Sequence, residues 1–150
     1  GIIVTGEKDG RRLITVVNGL SSEQERLDAA EALIRYGYTG FENKVLYKAG
    51  AEIIKVKIWG GDKEEVAVAA KADVEALLSR KDVNDKSYKV EVGYEEPWTA
   101  PVKKGDHVAT LVVKDSAGGI IANYPLLATE EVEEAGFIKK IIQKFKLLVL

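Results

Sequence analysis

The chain has 150 residues, 46% hydrophobic and 31% charged, with a net charge of −2 and neither cysteine nor methionine. A single domain of this size buries about 70% of its unfolded surface, so a disordered polymer is excluded, and the missing thiols exclude disulfides, thiolate catalysis and thiolate metal sites. No run of about eighteen apolar residues is present to span a bilayer as a helix, and the N-terminus has neither the basic nor the long apolar region of a signal peptide. The opening GIIVTG reads as a strand already under way, which predicts a piece of a longer protein.

Two apolar runs, residues 2–4 and 13–17, flank Glu7-Lys8-Asp9-Gly10. An Asp-Gly pair accepts the positive φ angles of a tight hairpin turn, so a β-hairpin is predicted, ending at Gly19. Ser22 and Glu25 have the spacing of a capping box, in which each side chain takes an orphan backbone N–H. Behind them Leu27, Ala30, Leu33 and Ile34 recur at helical spacing. Gly37 stands where a left-handed C′ residue belongs, so the helix is predicted to run from Ser22 to about Tyr36.

From residue 42 the apolar period changes to two. Ile54, Val56 and Ile58 alternate with lysines, Tyr88 to Tyr94 alternates with Lys89, Glu91 and Gly93, and Val108, Thr110 and Val112 form another run. Turn signals fall at Gly60-Gly61-Asp62, Asn84-Asp85, Lys104-Gly105-Asp106 and Gly118-Gly119. This pattern predicts a small antiparallel β-sandwich. Residues 66–78, AVAAKADVEALL at their core, have helical propensity but are read as two short strands.

The chain ends on FIKKIIQKFKLLVL. Ile138, Ile141, Ile142, Phe145, Leu148 and Val149 make one helical stripe, while Lys139, Lys140, Gln143, Lys144 and Lys146 hold the other face. Four lysines without an acid leave a charge of −6 on residues 1–136. Glu130, Glu131, Glu133, Glu134 and Gly136 precede the segment and read as a hinge. As a helix, fourteen residues span about 21 Å at 1.5 Å each, short of a hydrocarbon core of roughly 30 Å. The stripe suits either the plane of a membrane interface, apolar side down and lysines toward anionic headgroups, or packing against the body or a second copy.

Signals for chemistry are sparse. His107 is the single histidine, at a strand entry after a Gly-Asp turn, which rules out a metal site built on two histidines. The glycine pairs match no phosphate-binding motif, so no cofactor is predicted. Glu95 and Glu96 beside Pro97 read as solvated charge, and Tyr94, Trp98 and Tyr124 as packing aromatics. The acidic body argues against nucleic acid. None of Ser21, Ser22, Ser79, Ser87 or Ser116 opens an S-x-x-K motif.

The order of segments nevertheless resembles one family. DGRRLITVVNGLSSEQERLDAAEALIRYGYTGFE, then VLYKAG, KVKIWGG and APVKKGDHVATLVV, then YPLLATEEVEEAGFIKKIIQKFK are similar to the C-terminal portion of the low-molecular-mass penicillin-binding proteins, the serine-type D-alanyl-D-alanine carboxypeptidases. The resemblance covers nearly the whole chain. It implies a mainly β fold with some α: residues 1–41 as the closing hairpin and last helix of a transpeptidase-like α/β domain, 42–131 as the β-rich domain, and 132–150 as hinge and amphipathic helix. It also implies a parent enzyme that trims the terminal D-alanine of peptidoglycan peptides in the periplasm or at the outer face of the cytoplasmic membrane. The family's S-x-x-K, S-x-N and K-T-G motifs do not occur here, so no catalytic residue is assigned and the segment alone is expected to be inactive.

The resemblance favours the membrane role for the tail, with Phe137, Ile138, Lys139, Lys140, Ile141, Ile142, Lys144, Phe145, Lys146 and Leu148 as its contacts. Implied partners are an anionic membrane surface and the remainder of the parent's catalytic domain, with self-association through residues 1–41 as another outcome for a hairpin lacking its neighbours. The competing reading makes the β-rich part a non-catalytic binding module for cell-envelope partners and the helix an oligomerisation element.

Overall fold

A computed structural model describes residues 1–95 and 97–136. They are mainly β, with two helices among them, and divide into two compact units. One comprises Gly1–Asn43 with Leu77–Ser87; the other comprises Lys44–Ala76 with the described residues from Tyr88 onward.

The first unit begins with β1 (Ile2–Lys8) and β2 (Arg11–Val17), antiparallel in register from Ile2 opposite Val17 to Lys8 opposite Arg11. Asp9 and Gly10 make the two-residue turn at φ 53° and 73°, as the Asp-Gly pair predicts. Helix α1 (Glu23–Thr39) is capped by Ser22: its hydroxyl accepts the Glu25 N–H at 3.2 Å, and the Glu25 carboxylate accepts the Ser22 N–H at 3.3 Å.

The helix does not stop at Gly37. It continues to Thr39, with Gly40 as its C-cap donating to the Tyr36 carbonyl at 2.7 Å. Gly37 serves close approach rather than a left-handed turn, since a Cβ there would lie 2.6 Å from Leu13 Cδ1 of β2. The helix thereby rests on the hairpin face that carries Leu13 and Val17.

Asn84-Asp85 is likewise not a turn between strands but the end of α2 (Arg80–Asp85), closed by Lys86 at φ 52°. Asp82 is buried beneath it. Its carboxylate accepts the Ser79 and Ser87 hydroxyls, each at 2.8 Å, and its N–H donates to Ser79 Oγ, so local side-chain bonds nucleate a short helix where a turn is expected.

β3 (Phe41–Tyr47) pairs with β6 (Val74–Ser79) as a two-stranded sheet. In place of two stacked sheets, the other strands of the second unit join one six-stranded sheet. These are β4 (Glu52–Trp59), β5 (Glu65–Ala70), β7 (Lys89–Gly93), β8 (Trp98–Thr99), β9 (His107–Lys114) and β10 (Ile120–Ala128), in the order β7-β9-β10-β5-β4-β8. Its neighbours are antiparallel except β8, which runs parallel to β4.

Residues 66–78 do form two strands. Val66, Val68, Val74, Ala76 and Leu78 are buried at period two, and that burial outweighs the helical propensity of alanine. With Val56, Ile58, Leu111, Val113 and Leu126 they make up much of the core. Pro125 sits in β10 just before pairing with β5 begins at Leu126, where a missing N–H costs no ladder bond.

Candidate functional site

The ten residues from Phe137 to Leu148 predicted to touch membrane, and the amphipathic helix they would form, lie outside the described residues. What the structure defines is their root. Lys63 is salt-bridged to Glu130 and donates to the Glu131 carbonyl at 3.3 Å. Val132 and Val102 exchange backbone hydrogen bonds at 2.8 and 2.9 Å, Asp62 N–H donates to the Glu133 carbonyl at 2.8 Å, and Glu133 N–H donates to Asp62 Oδ1 at 2.9 Å. Ala135 N–H reaches the Gly60 carbonyl at 2.8 Å. Val132 and Ala135 are buried, and Gly61 is the residue that admits Val132: a Cβ on it would stand 2.6 Å from Val132 Cγ1. The stretch read from the sequence as a hinge is therefore tied down as far as Ala135. The bond to Glu130 holds the Lys63 ammonium above its usual pKa.

A second candidate surface is the outer face of the hairpin. Ile3 lies opposite Val16, and Thr5 opposite Ile14, with Ile3 71%, Ile14 62% and Val16 68% exposed. The strands β1 and β2 pair with each other and with no other strand among the described residues. Leu33 and Tyr36 on α1 are exposed too. Three large aliphatic side chains are thus exposed together on one face of a two-stranded sheet.

The other sequence candidates do not assemble. His107 is the exposed first residue of β9, its Nε2 3.1 Å from Thr110 Oγ1. Ser79 and Ser87 are committed to Asp82, and neither hydroxyl bonds a lysine or histidine nitrogen. Glu95 lies just past β7, and Glu96 lies outside the described residues. Tyr124 bridges β10 to β6, donating to the Glu75 carbonyl at 2.7 Å and accepting its N–H at 3.1 Å. Trp98, opposite Ile58, has its indole N–H buried. No helix among the described residues is long and apolar enough to cross a membrane. The sequence reading missed the Val102 to Val132 bridge, whose one trace is Gly61.

A hairpin and capped helix, then a six-stranded sheet closed by a short returning segment, define the class. The family model for the penicillin-binding protein 5 C-terminal domain matches residues 41–134. The chain belongs to that family, as a C-terminal part of a low-molecular-mass penicillin-binding protein. It is 29% identical over 138 residues to the D-alanyl-D-alanine carboxypeptidase DacF of Bacillus subtilis (strain 168), covering 91% of this chain and 35% of that protein. To DacC of Escherichia coli (strain K12) it is 31% identical over 141 residues, covering 93% and 34%. The solved D-alanyl-D-alanine carboxypeptidase DacD from Francisella tularensis superposes with a TM-score of 0.67 at 26% identity, over 89% of this chain and 33% of that one. Penicillin binding protein 5 from Haemophilus influenzae gives 0.66 at 25%, over 88% and 38%. The chain spans about a third of the length of the curated relatives it matches.

Proposed function

We propose that this chain is the membrane-proximal part of a peptidoglycan-trimming D-alanyl-D-alanine carboxypeptidase that works in the periplasm or at the outer face of the cytoplasmic membrane. Residues 1–41 complete the transpeptidase-like domain, residues 42–131 hold it away from the lipid, and residues 132–150 anchor it. The observation that carries the reading is the hairpin: Ile3, Ile14 and Val16 present an apolar face on a sheet of two strands, which suits a larger sheet and its covering helices. The relatives' names supply the chemistry, and their threefold greater length supplies the room for it. The nucleophile and its base then belong to the remainder of the parent, and the peptidoglycan peptide is the parent's substrate.

The tail supplies the anchor by lying in the interface, its stripe from Ile138 to Val149 at the acyl boundary and its four lysines toward anionic headgroups. Each lysine is worth on the order of 1 kcal/mol near a charged surface, so binding weakens as salt rises. Two measurements test the proposal. Radiolabelled penicillin should acylate the full-length parent and leave this chain unlabelled, and the chain should cosediment with phosphatidylglycerol-containing vesicles at low salt and less so at high salt. A parent that takes no penicillin sinks the enzymatic half, and vesicle binding indifferent to salt sinks the anchoring half.

A further inference from the structure

Asn18 and Gly19 stand in the link between β2 and α1, and both are exposed. The Gly19 N–H donates to Oδ1 of Asn18 at 2.9 Å and serves no strand or helix ladder. The backbone nitrogen of Gly19 is thus held beside the side-chain carbonyl of the residue before it. Gly19 has φ 83°, and beyond its chain neighbours no atom lies within 4 Å of where its Cβ would be, so nothing crowds the approach of that nitrogen to the amide carbon. The other three asparagines are placed differently: Asn43 lies in β3, Asn84 in α2 and Asn123 in β10, and none of them precedes a glycine.

We propose that Asn18-Gly19 is a modification site, at which the folded chain deamidates itself to a mixture of isoaspartate and aspartate. Base removes the Gly19 amide proton, and the nitrogen attacks Cγ of Asn18. The new N–Cγ bond closes a five-membered succinimide. The bond from Cγ to the side-chain nitrogen breaks, and that nitrogen leaves as ammonia after taking a proton from water, which restores the base. Water then opens the ring at either carbonyl: opening at the main-chain carbonyl leaves isoaspartate, and opening at the side-chain carbonyl leaves aspartate. No oxidant or cofactor enters. Each event turns a neutral amide into a carboxylate, taking the net charge of the chain from −2 to −3. Isoaspartate also lengthens the main chain by one atom beside Val17, the buried last residue of β2.

The test incubates the chain in neutral and in alkaline buffer, digests it, and locates deamidation by peptide mass and fragmentation. Methyl transfer from S-adenosylmethionine by an isoaspartyl methyltransferase is the second probe. Deamidation should be confined to residue 18, should quicken with pH, and should keep pace with that of the same chain unfolded in guanidinium chloride. Asp9-Gly10 can isomerise through the same kind of ring, but without a change in mass, so the mass reports Asn18. Gly19→Ala crowds the nitrogen and should slow conversion several-fold. Asn18→Gln leaves Gly19 and the freedom of the link in place but would have to close a six-membered ring, and it should stay unconverted over the same period.

An Asn18 that remains an amide in alkaline buffer overturns the proposal. So does conversion at equal rates at residues 18, 43, 84 and 123. An Asn18 slowed several-fold relative to the unfolded chain overturns it as well, because the folded link then bars ring closure.

Discussion

Arg11 gives the sharpest test of how the first unit is held together. Helix α1 has no basic residue in its last turn, yet its final carbonyls need donors and its C-terminus favours a positive charge. Arg11 of β2 supplies both from a distance of 26 residues in sequence, donating to the carbonyls of Gly37 at 2.9 Å, Tyr38 at 3.1 Å and Phe41 at 3.0 Å, with its guanidinium 5.3 Å from the centroid of the Tyr38 ring. Hydrogen bonds from a charged donor contribute about 1.5–3 kcal/mol each when buried, but these are half-buried and share one side chain, so Arg11→Met should cost about 2–3 kcal/mol in total. Arg11→Lys keeps the charge at the helix end, worth about 0.3–1 kcal/mol, without the planar fork, and should fall between. Arg12 is the internal control: it is exposed, its Nε donates to Thr5 Oγ1 at 3.2 Å, and Arg12→Met should stay within about 0.5 kcal/mol.

Both helices among the described residues belong to the first unit and both tryptophans, Trp59 and Trp98, to the second. Urea unfolding followed by far-ultraviolet helix signal therefore reads the unit that Arg11 holds, while tryptophan fluorescence reads the other. Arg11→Met should lower the helix midpoint. A helix midpoint that fails to move refutes the role of Arg11.

In the second unit, Leu111 is fully buried in β9, and Leu111→Ala should cost about 2–5 kcal/mol in urea unfolding by fluorescence; a loss below about 1 kcal/mol would show that the sheet's core lies elsewhere. The Lys48 ammonium, 2.8 Å away, and the Ala49 N–H hold the Asp73 carboxyl below its usual pKa, and the Lys114 ammonium does the same for Glu91. A depressed carboxylate pKa contributes stability above the unfolded value, which is lost as pH falls through the folded one, so acid unfolding should respond below about pH 4.5; carboxyl carbon titration by NMR should find both groups below the usual carboxylate range, and Asp73→Asn should flatten its share of the slope. Replacing Lys139, Lys140, Lys144 and Lys146 together by glutamine should weaken vesicle binding and remove its salt dependence, at about 1 kcal/mol per lysine; binding retained at full strength would mean that the apolar stripe alone anchors.

Features that depend on neighbours within a few residues could be read from the amino-acid order. The Asp9-Gly10 turn, the Ser22–Glu25 capping box and the period-two burial of residues 66–78 are examples, because backbone strain, caps and side-chain alternation act over such distances. The outer face of the hairpin was legible too, since Ile3, Ile14 and Val16 fall on it by alternation once the turn is known.

Tertiary contact decided the rest. Gly37 looks the same in sequence whether it ends a helix or makes room for Leu13, and what separates the two is a side chain on another strand. Asn84-Asp85 has the composition of a turn, but Asp82 finds two serine hydroxyls and winds it into a helix. The acidic run before the tail has the composition of a hinge, yet its amides and carbonyls meet partners at Gly60, Asp62 and Val102, 30 to 75 residues away, and no local window contains them. Backbone groups bond whatever lies opposite in space, so how firmly this segment is held is set by the sheet it folds back upon.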